Sequence, residues 1–266
     1  MKKLGKIYLA LVLLFLYVPI FVLIVFSFNE SKSSSVFSGF TLDWYKRLFH
    51  NRIIISSLVN TMIIAVIASI VSTVLGTFAA IGINSMRKVP RAVVMNVTNM
   101  PIINPEIVTG VSLMLLFSFF AARMTLEFGF VTLLIAHITF DVPYVILNVM
   151  PKFNQMDPHL YEAAQDLGCS PFKAFRKVVL PEIMPGVVSG FLMAFTYSLD
   201  DFVISYFTTG STSQTLPITI YSMTRRKVSP EINALSTLIF IAVVLVLIVK
   251  NGIQNRAFKR SGMGGN

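Results

Sequence analysis

Five residues in this chain sit where charge and hydroxyl are costly. Asp200 and Asp201 stand side by side in Tyr197-Ser198-Leu199-Asp200-Asp201, after the charge-free run Ile183 to Leu199. Glu106 is the only charged residue between Ala92 and Ala122, and Asp141 is the only one between Phe128 and Pro151. An acid near the centre of a membrane helix costs about 2.5–3.5 kcal/mol on insertion scales, so it asks for a partner or a task. No lysine or arginine lies in these runs to neutralise them. Four acids without internal cations suit a cationic solute, and Tyr197 adds a cation–π face. The alternative is that the acids solvate a water-filled path or hold a helix end. Neighbouring residues on a helix point about 100° apart, so Asp200 and Asp201 do not share one direction.

Other chemistry finds little support. The phosphate-loop pattern G-x-x-x-x-G-K-[ST] is absent, so ATP is not bound by that route. Cys169 is the single cysteine, which excludes an intrachain disulfide and a thiolate cluster. His50, His137 and His159 lack metal-ligand spacing and read as ordinary loop or packing residues. Ser189-Gly190 with His137 would make a poor hydrolase, because Val187 stands where a nucleophile elbow needs glycine. These observations favour passage of a solute over its conversion.

A second constellation lies in the polar stretch 151–182. Asp157-Pro158 opens a short helix, with Leu160, Ala163, Ala164 and Leu167 at helical spacing and Gly168 as its stop. Ser170-Pro171 starts another, with Phe172, Phe175 and Val179 on one side and Lys173, Arg176 and Lys177 on the other. Pro181 is expected to close it. A small helix pair with protruding aromatics fits a partner's groove. Basic residues lying on lipid headgroups account for the same pattern.

The elements that must carry these residues follow from composition. The chain has 266 residues, 55% hydrophobic and 13% charged, with mean hydropathy +0.75. A soluble domain of this length carries roughly 25% charged residues, so lipid is the solvent here. The apolar runs predict six membrane helices in one permease domain spanning 1–266, at about 7–28, 57–82, 97–120, 129–150, 184–206 and 233–250. The first run is too long for a signal-peptide core and reads as a retained anchor. Placing the N-terminus in the cytoplasm puts 14 of the 22 basic residues on the inner side, with 151–182 there too. Nucleic acid is an improbable partner for a net charge of +10 scattered along membrane edges. Pro101, Pro105 and Pro143 mark kinks, and Gly186 with Gly190 permits close helix approach. Trp44 and Tyr45 suit the water–lipid boundary. Gly210, Pro217 and Pro230 punctuate an outer loop over 207–232.

Glu162-Ala163-Ala164, then Gly168, then Val178, Leu180 and Pro181 resemble the signature loop of permease subunits of binding-protein-dependent ABC importers. Val178 stands where isoleucine is more usual. The resemblance implies a type I importer permease fold, and a loop that docks on a cytoplasmic ATPase through Glu162, Ala163, Ala164, Gly168, Phe172, Leu180 and Pro181. Further segments extend it: Tyr17-Val18-Pro19-Ile20, His137-Ile138-Thr139-Phe140, Ser198 to Ser205, and Ser229 to Leu235. Together they are similar to the C-type permease subunits of spermidine/putrescine importers. That implies a transport subunit, not an enzyme, working with a B-type permease, two ATPase copies and an extracytoplasmic polyamine-binding protein in a prokaryotic cell membrane. It implies no cofactor on this chain, ATP-Mg being held by the ATPase. Permeases for other organic cations, metals or phosphonates share much of the fold. An ion-coupled secondary transporter is a less favoured alternative, and it has no need of the signature loop.

Overall fold

The structure is a computed structural model that describes residues 2–31, 36–124, 127–157, 159–210, 213–226, 230–241 and 244. Among the described residues helix dominates, and a single isolated bridge pairs Asn29 with Phe40. In chain order the helices are α1 (Lys2–Ser27), α2 (Asp43–His50), α3 (Arg52–Asn84), α4 (Lys88–Ile103), α5 (Glu106–Met124), α6 (Phe130–Gln155), α7 (His159–Asp166), α8 (Pro171–Ala174), α9 (Leu180–Asp200), α10 (Val203–Thr208) and α11 (Leu216–Arg226). Among the described residues, five helices are long and apolar enough to cross a membrane: Gly5–Ser27, Arg52–Asn84, Glu106–Arg123, Phe130–Gln155 and Pro171–Asp200. The predicted sixth span, 233–250, is an apolar helix over Pro230–Ile241. Its remaining residues, other than 244, lie outside the described residues, as does Pro158.

The chain divides into two units, Met1–Ile55 with Ile220–Asn266, and Ser56–Thr219. In the first, α1 buries almost none of its apolar surface within the chain, as a helix bathed in lipid or a partner's helices would. The segment after it folds back through local bonds. Asn29 receives the Ser38 N–H at 2.9 Å and donates to the Val36 carbonyl at 2.7 Å. Trp44 is buried within the chain, and its Nε1 donates to the Asn29 carbonyl at 2.7 Å, which satisfies the indole.

In the second unit α6 and α9 pack most closely. A Cβ at Gly186 would lie 2.8 Å from the Asn148 carbonyl, and one at Gly190 would lie 3.1 Å from the Val145 Cα. Gly76 of α3 meets Val145 in the same way, so α6 is gripped on two sides where side chains vanish. The core beneath contains Ile83, Val145, Val149, Phe153, Val179 and Ile183.

Three predicted spans need correction. The one drawn at 97–120 is two helices, because Pro105 forces Asn104 into an extended conformation (φ −69°, ψ 139°) and ends α4 there. The one at 129–150 continues to Gln155 through Pro143 and Pro151, so the following loop starts at Met156 rather than at residue 151. The one at 184–206 stops at Asp200, and Asp201 leaves the helix with ψ 122°. Pro181 closes nothing. The helix runs on through a π-helical turn at Phe175–Val179, where the Leu180 N–H donates to the Phe175 carbonyl, and Pro181 takes the first turn of α9. The stretch 207–232, predicted as an outer loop, is not all loop either, since Pro217 sits in the first turn of α11.

Candidate functional site

Glu106, Tyr197, Asp200 and Asp201 come together around one cavity of about 240 Å³. Pro101, Thr109, Phe140, Tyr144 and Phe202 to Ile204 complete its lining, which contains no lysine or arginine. Its walls are the two helix breaks. Pro105 ends α4 and places Glu106 in the first turn of α5, and the break at Asp201–Phe202 separates α9 from α10. Irregular backbone at membrane depth is tolerated where it lines a cavity, and half-helix ends are common places for transported solutes. Gly110 lets α5 close on α10, since a Cβ there would meet the Phe207 ring at 2.8 Å.

The two adjacent aspartates have different environments. Asp200 is exposed at the end of α9. Asp201 has a side chain only 6% exposed and caps α10: the Ile204 N–H donates to Oδ1 at 3.2 Å and the Ser205 N–H to Oδ2 at 2.7 Å. The helix-end use of an intramembrane acid is thus realised at Asp201, whereas Asp200 presents its carboxylate to the cavity. Tyr144 stacks on Tyr197 with ring centroids 4.3 Å apart, giving the wall a paired aromatic face. Asp141 does not join the lining. It is fully buried on α6, and among the described residues both its carboxyl oxygens lack a hydrogen-bond partner.

His137, read from the sequence as ordinary packing, is fully buried with both ring nitrogens engaged. Nδ1 lies 2.6 Å from the Ser198 hydroxyl and Nε2 lies 2.9 Å from the Ser205 hydroxyl. A histidine inside an otherwise apolar span was itself a signal. Its partners, 61 and 68 residues away, were not marked by any spacing. Tyr144 was missed because one more tyrosine in a helix resembles packing until its stack is seen.

The predicted docking residues lie on α7, at its stop, on α8 and at the start of α9. Glu162, Ala163, Gly168 and Phe172 are exposed, with Phe172 at 72% and the neighbouring Leu167 at 87%. Ala164 instead faces inward, and Leu180 is half-buried beside an exposed Pro181. Gly168 has φ +83°, its N–H donates to the Gln165 carbonyl at 2.8 Å, and the Cys169 N–H reaches the Ala164 carbonyl at 3.1 Å. That pair of bonds is a Schellman stop, whose left-handed residue is usually glycine.

Residues 72–261 match the family described as binding-protein-dependent transport system inner membrane component. The chain is 38% identical over 242 residues to the spermidine/putrescine transport system permease protein PotC of Haemophilus influenzae, covering 91% of this chain and 92% of the relative. It is 37% identical over 257 residues to the putrescine transport system permease protein PotI of Escherichia coli K12, covering 92% and 89%. Among solved structures, a bacterial alginate ABC transporter in complex with an alginate pentasaccharide-bound periplasmic protein superposes with TM-score 0.71 at 16% identity, over 97% of this chain and 96% of that one. With an all-helical fold, several membrane-crossing helices and this match over most of its length, the chain belongs to the binding-protein-dependent transport system inner membrane components, the multi-pass permease subunits of ABC importers.

Proposed function

We propose that this chain forms half of the membrane path of an ATP-driven importer for polyamines such as spermidine and putrescine. The cavity carries the proposal: three carboxylates and a stacked tyrosine pair converge, with no basic residue in the lining. A linear polyammonium ion meets anions and π faces in such a wall. The likeness to spermidine/putrescine and putrescine permeases supports the same solute class.

On this reading Asp200 and Glu106 pair ammonium groups in passing, Tyr197 and Tyr144 offer cation–π faces, and Asp201 keeps the α9–α10 break in shape. Contacts that are exposed and replaceable suit conduction better than a tight site. Asp141 stands behind the wall, buried on α6 and outside the lining. The exposed face around Ala163, Gly168 and Phe172 docks on a cytoplasmic ATPase dimer that binds ATP-Mg, so this chain needs no cofactor of its own. A B-type permease completes the path, and an extracytoplasmic binding protein delivers the solute. Both termini then lie in the cytoplasm, and the single permease domain carries six spans.

The test is uptake of labelled spermidine and putrescine into vesicles holding the complete complex, with and without ATP and the binding protein. Uptake that needs both is the expected result. An ATPase stimulated only by a binding protein loaded with some other solute would overturn the polyamine assignment. Uptake that persists with an inactive ATPase would overturn the importer mechanism.

A further inference from the structure

We propose that His137 is a positioning residue for the acid pair, a neutral imidazole strut that holds the α9–α10 break in the shape that presents Asp200 and Asp201 to the cavity. The inference rests on the reading of that cavity as the solute path. His137 projects from α6 and engages both sides of the break, Ser198 in the last turn of α9 at 2.6 Å and Ser205 in α10 at 2.9 Å. All three residues are buried, with His137 and Ser205 at 0% and Ser198 at 2% exposure. Each serine hydroxyl can donate or accept, so a single neutral tautomer satisfies both contacts.

Ser205 is the link to the acid. Its hydroxyl meets the ring, and its own N–H donates to Asp201 Oδ2 at 2.7 Å. His137 Nε2 is itself 3.7 Å from Asp201 Oδ2, beyond hydrogen-bond reach, so the ring acts through Ser205. The ring also packs on Phe140, with centroids 5.2 Å apart, and Phe140 lines the cavity. His137 therefore stands one aromatic layer behind the wall and does not touch the solute. Removing the ring takes one partner from each of two buried hydroxyls on opposite sides of the break, which Asp201 also joins through its N–H to the Tyr197 carbonyl at 3.1 Å and its carboxylate at the start of α10.

The experiment uses the complete complex in proteoliposomes with saturating polyamine-loaded binding protein. Uptake per assembled complex and ATP hydrolysed per polyamine are measured for His137→Ala, His137→Gln, Ser205→Ala, Asp201→Asn and the His137→Ala/Asp201→Asn double variant. We expect His137→Ala to lower uptake roughly tenfold and to raise ATP consumed per polyamine, with His137→Gln recovering uptake to within about threefold. In the Asp201→Asn background His137→Ala is expected to cost less than about twofold more, because residues acting as one unit are not additive. A full tenfold loss in that background, or uptake and hydrolysis falling in proportion, would reduce His137 to a packing residue. Should His137→Ala fail to assemble, His137→Gln and Ser205→Ala carry the test, and an unchanged ATP-to-polyamine ratio in both overturns the proposal. Asp200→Asn, measured alongside, at full uptake would instead bring down the path reading itself. Impaired Asp201→Asn beside an unimpaired His137→Ala would bring down only the strut.

Discussion

Neutralising Asp200 and Asp201 one at a time separates two jobs that adjacent carboxylates perform. Asp201 holds two backbone N–H groups at the start of α10, at 2.7 and 3.2 Å, with its side chain 6% exposed. Loss of a helix cap costs about 1 kcal/mol, and leaving a buried N–H unsatisfied adds about 1–3 kcal/mol. Asp201→Ala is therefore expected to destabilise the subunit by about 2–4 kcal/mol. Asp201→Asn retains one carbonyl acceptor and should lose about half of that. Asp200 is exposed and leaves the folded state indifferent to its charge. What it offers is attraction for a passing ammonium. Two unit charges about 4 Å apart interact by about 4 kcal/mol at an effective dielectric near 20, and exposure screens this to about 1 kcal/mol. Asp200→Asn should thus lower polyamine uptake at limiting concentration roughly fivefold with no change in melting temperature. The assay pairs thermal unfolding of the purified complex with uptake in proteoliposomes. The division of labour is refuted if Asp200→Asn melts as early as Asp201→Ala, or if Asp201→Ala melts with the wild type.

Three further perturbations address other parts of the chain. Gly168→Asp introduces a side chain at φ +83° on an exposed stop, where a Cβ meets nothing within 4 Å. The fold should persist while polyamine-stimulated ATP hydrolysis is lost, and normal coupling in an assembled variant would count against docking through this loop. Gly186→Leu drives a side chain into the Asn148 carbonyl, 2.8 Å from the added Cβ, and should cost about 1–3 kcal/mol as overpacking of α6 against α9, read as a lower melting temperature. Trp44→Phe keeps an apolar ring but gives up the 2.7 Å bond to the Asn29 carbonyl, and should cost about 1 kcal/mol by the same measurement.

Hydropathy alone located the membrane-crossing segments, because lipid demands a long apolar helix and a charge-free run of this length has few other uses. It failed at their ends. Apolar residues continue across Asn104–Pro105 and across Asp201–Phe202, so the runs read as unbroken where the backbone turns. Pro105 was visible as a breaker, but the sequence did not say whether it would kink α4 or end it. At Pro181 the error ran the other way. The missing N–H looked like a terminus, but a widened turn at Phe175–Val179 leads into the proline and the helix continues. The acids of the cavity were legible because charge in lipid is expensive. The strut behind them was not, since Ser198, Ser205 and His137 are unremarkable singly and gain meaning only when three helices bring them within 3 Å.

That continuity bears on how the two ends of the molecule communicate. From Pro171 to Asp200 the chain is helical for 30 residues, about 45 Å at the usual rise. Phe172, on the exposed face proposed to dock, lies at one end, and the acid that faces the cavity lies at the other. A displacement imposed at Phe172 is either carried along this element or absorbed within it. The π-helical turn is the place for absorption, because its hydrogen bonds are already one residue out of step with those of α9. Beyond it, Gly186 and Gly190 press α9 against α6 too tightly for independent sliding. Motion that passes the turn must therefore take α6 with it, and His137 rides on α6. On the proposed reading the strut and the lever move as one body, so the geometry of the acid pair is preserved while the path around it opens and closes.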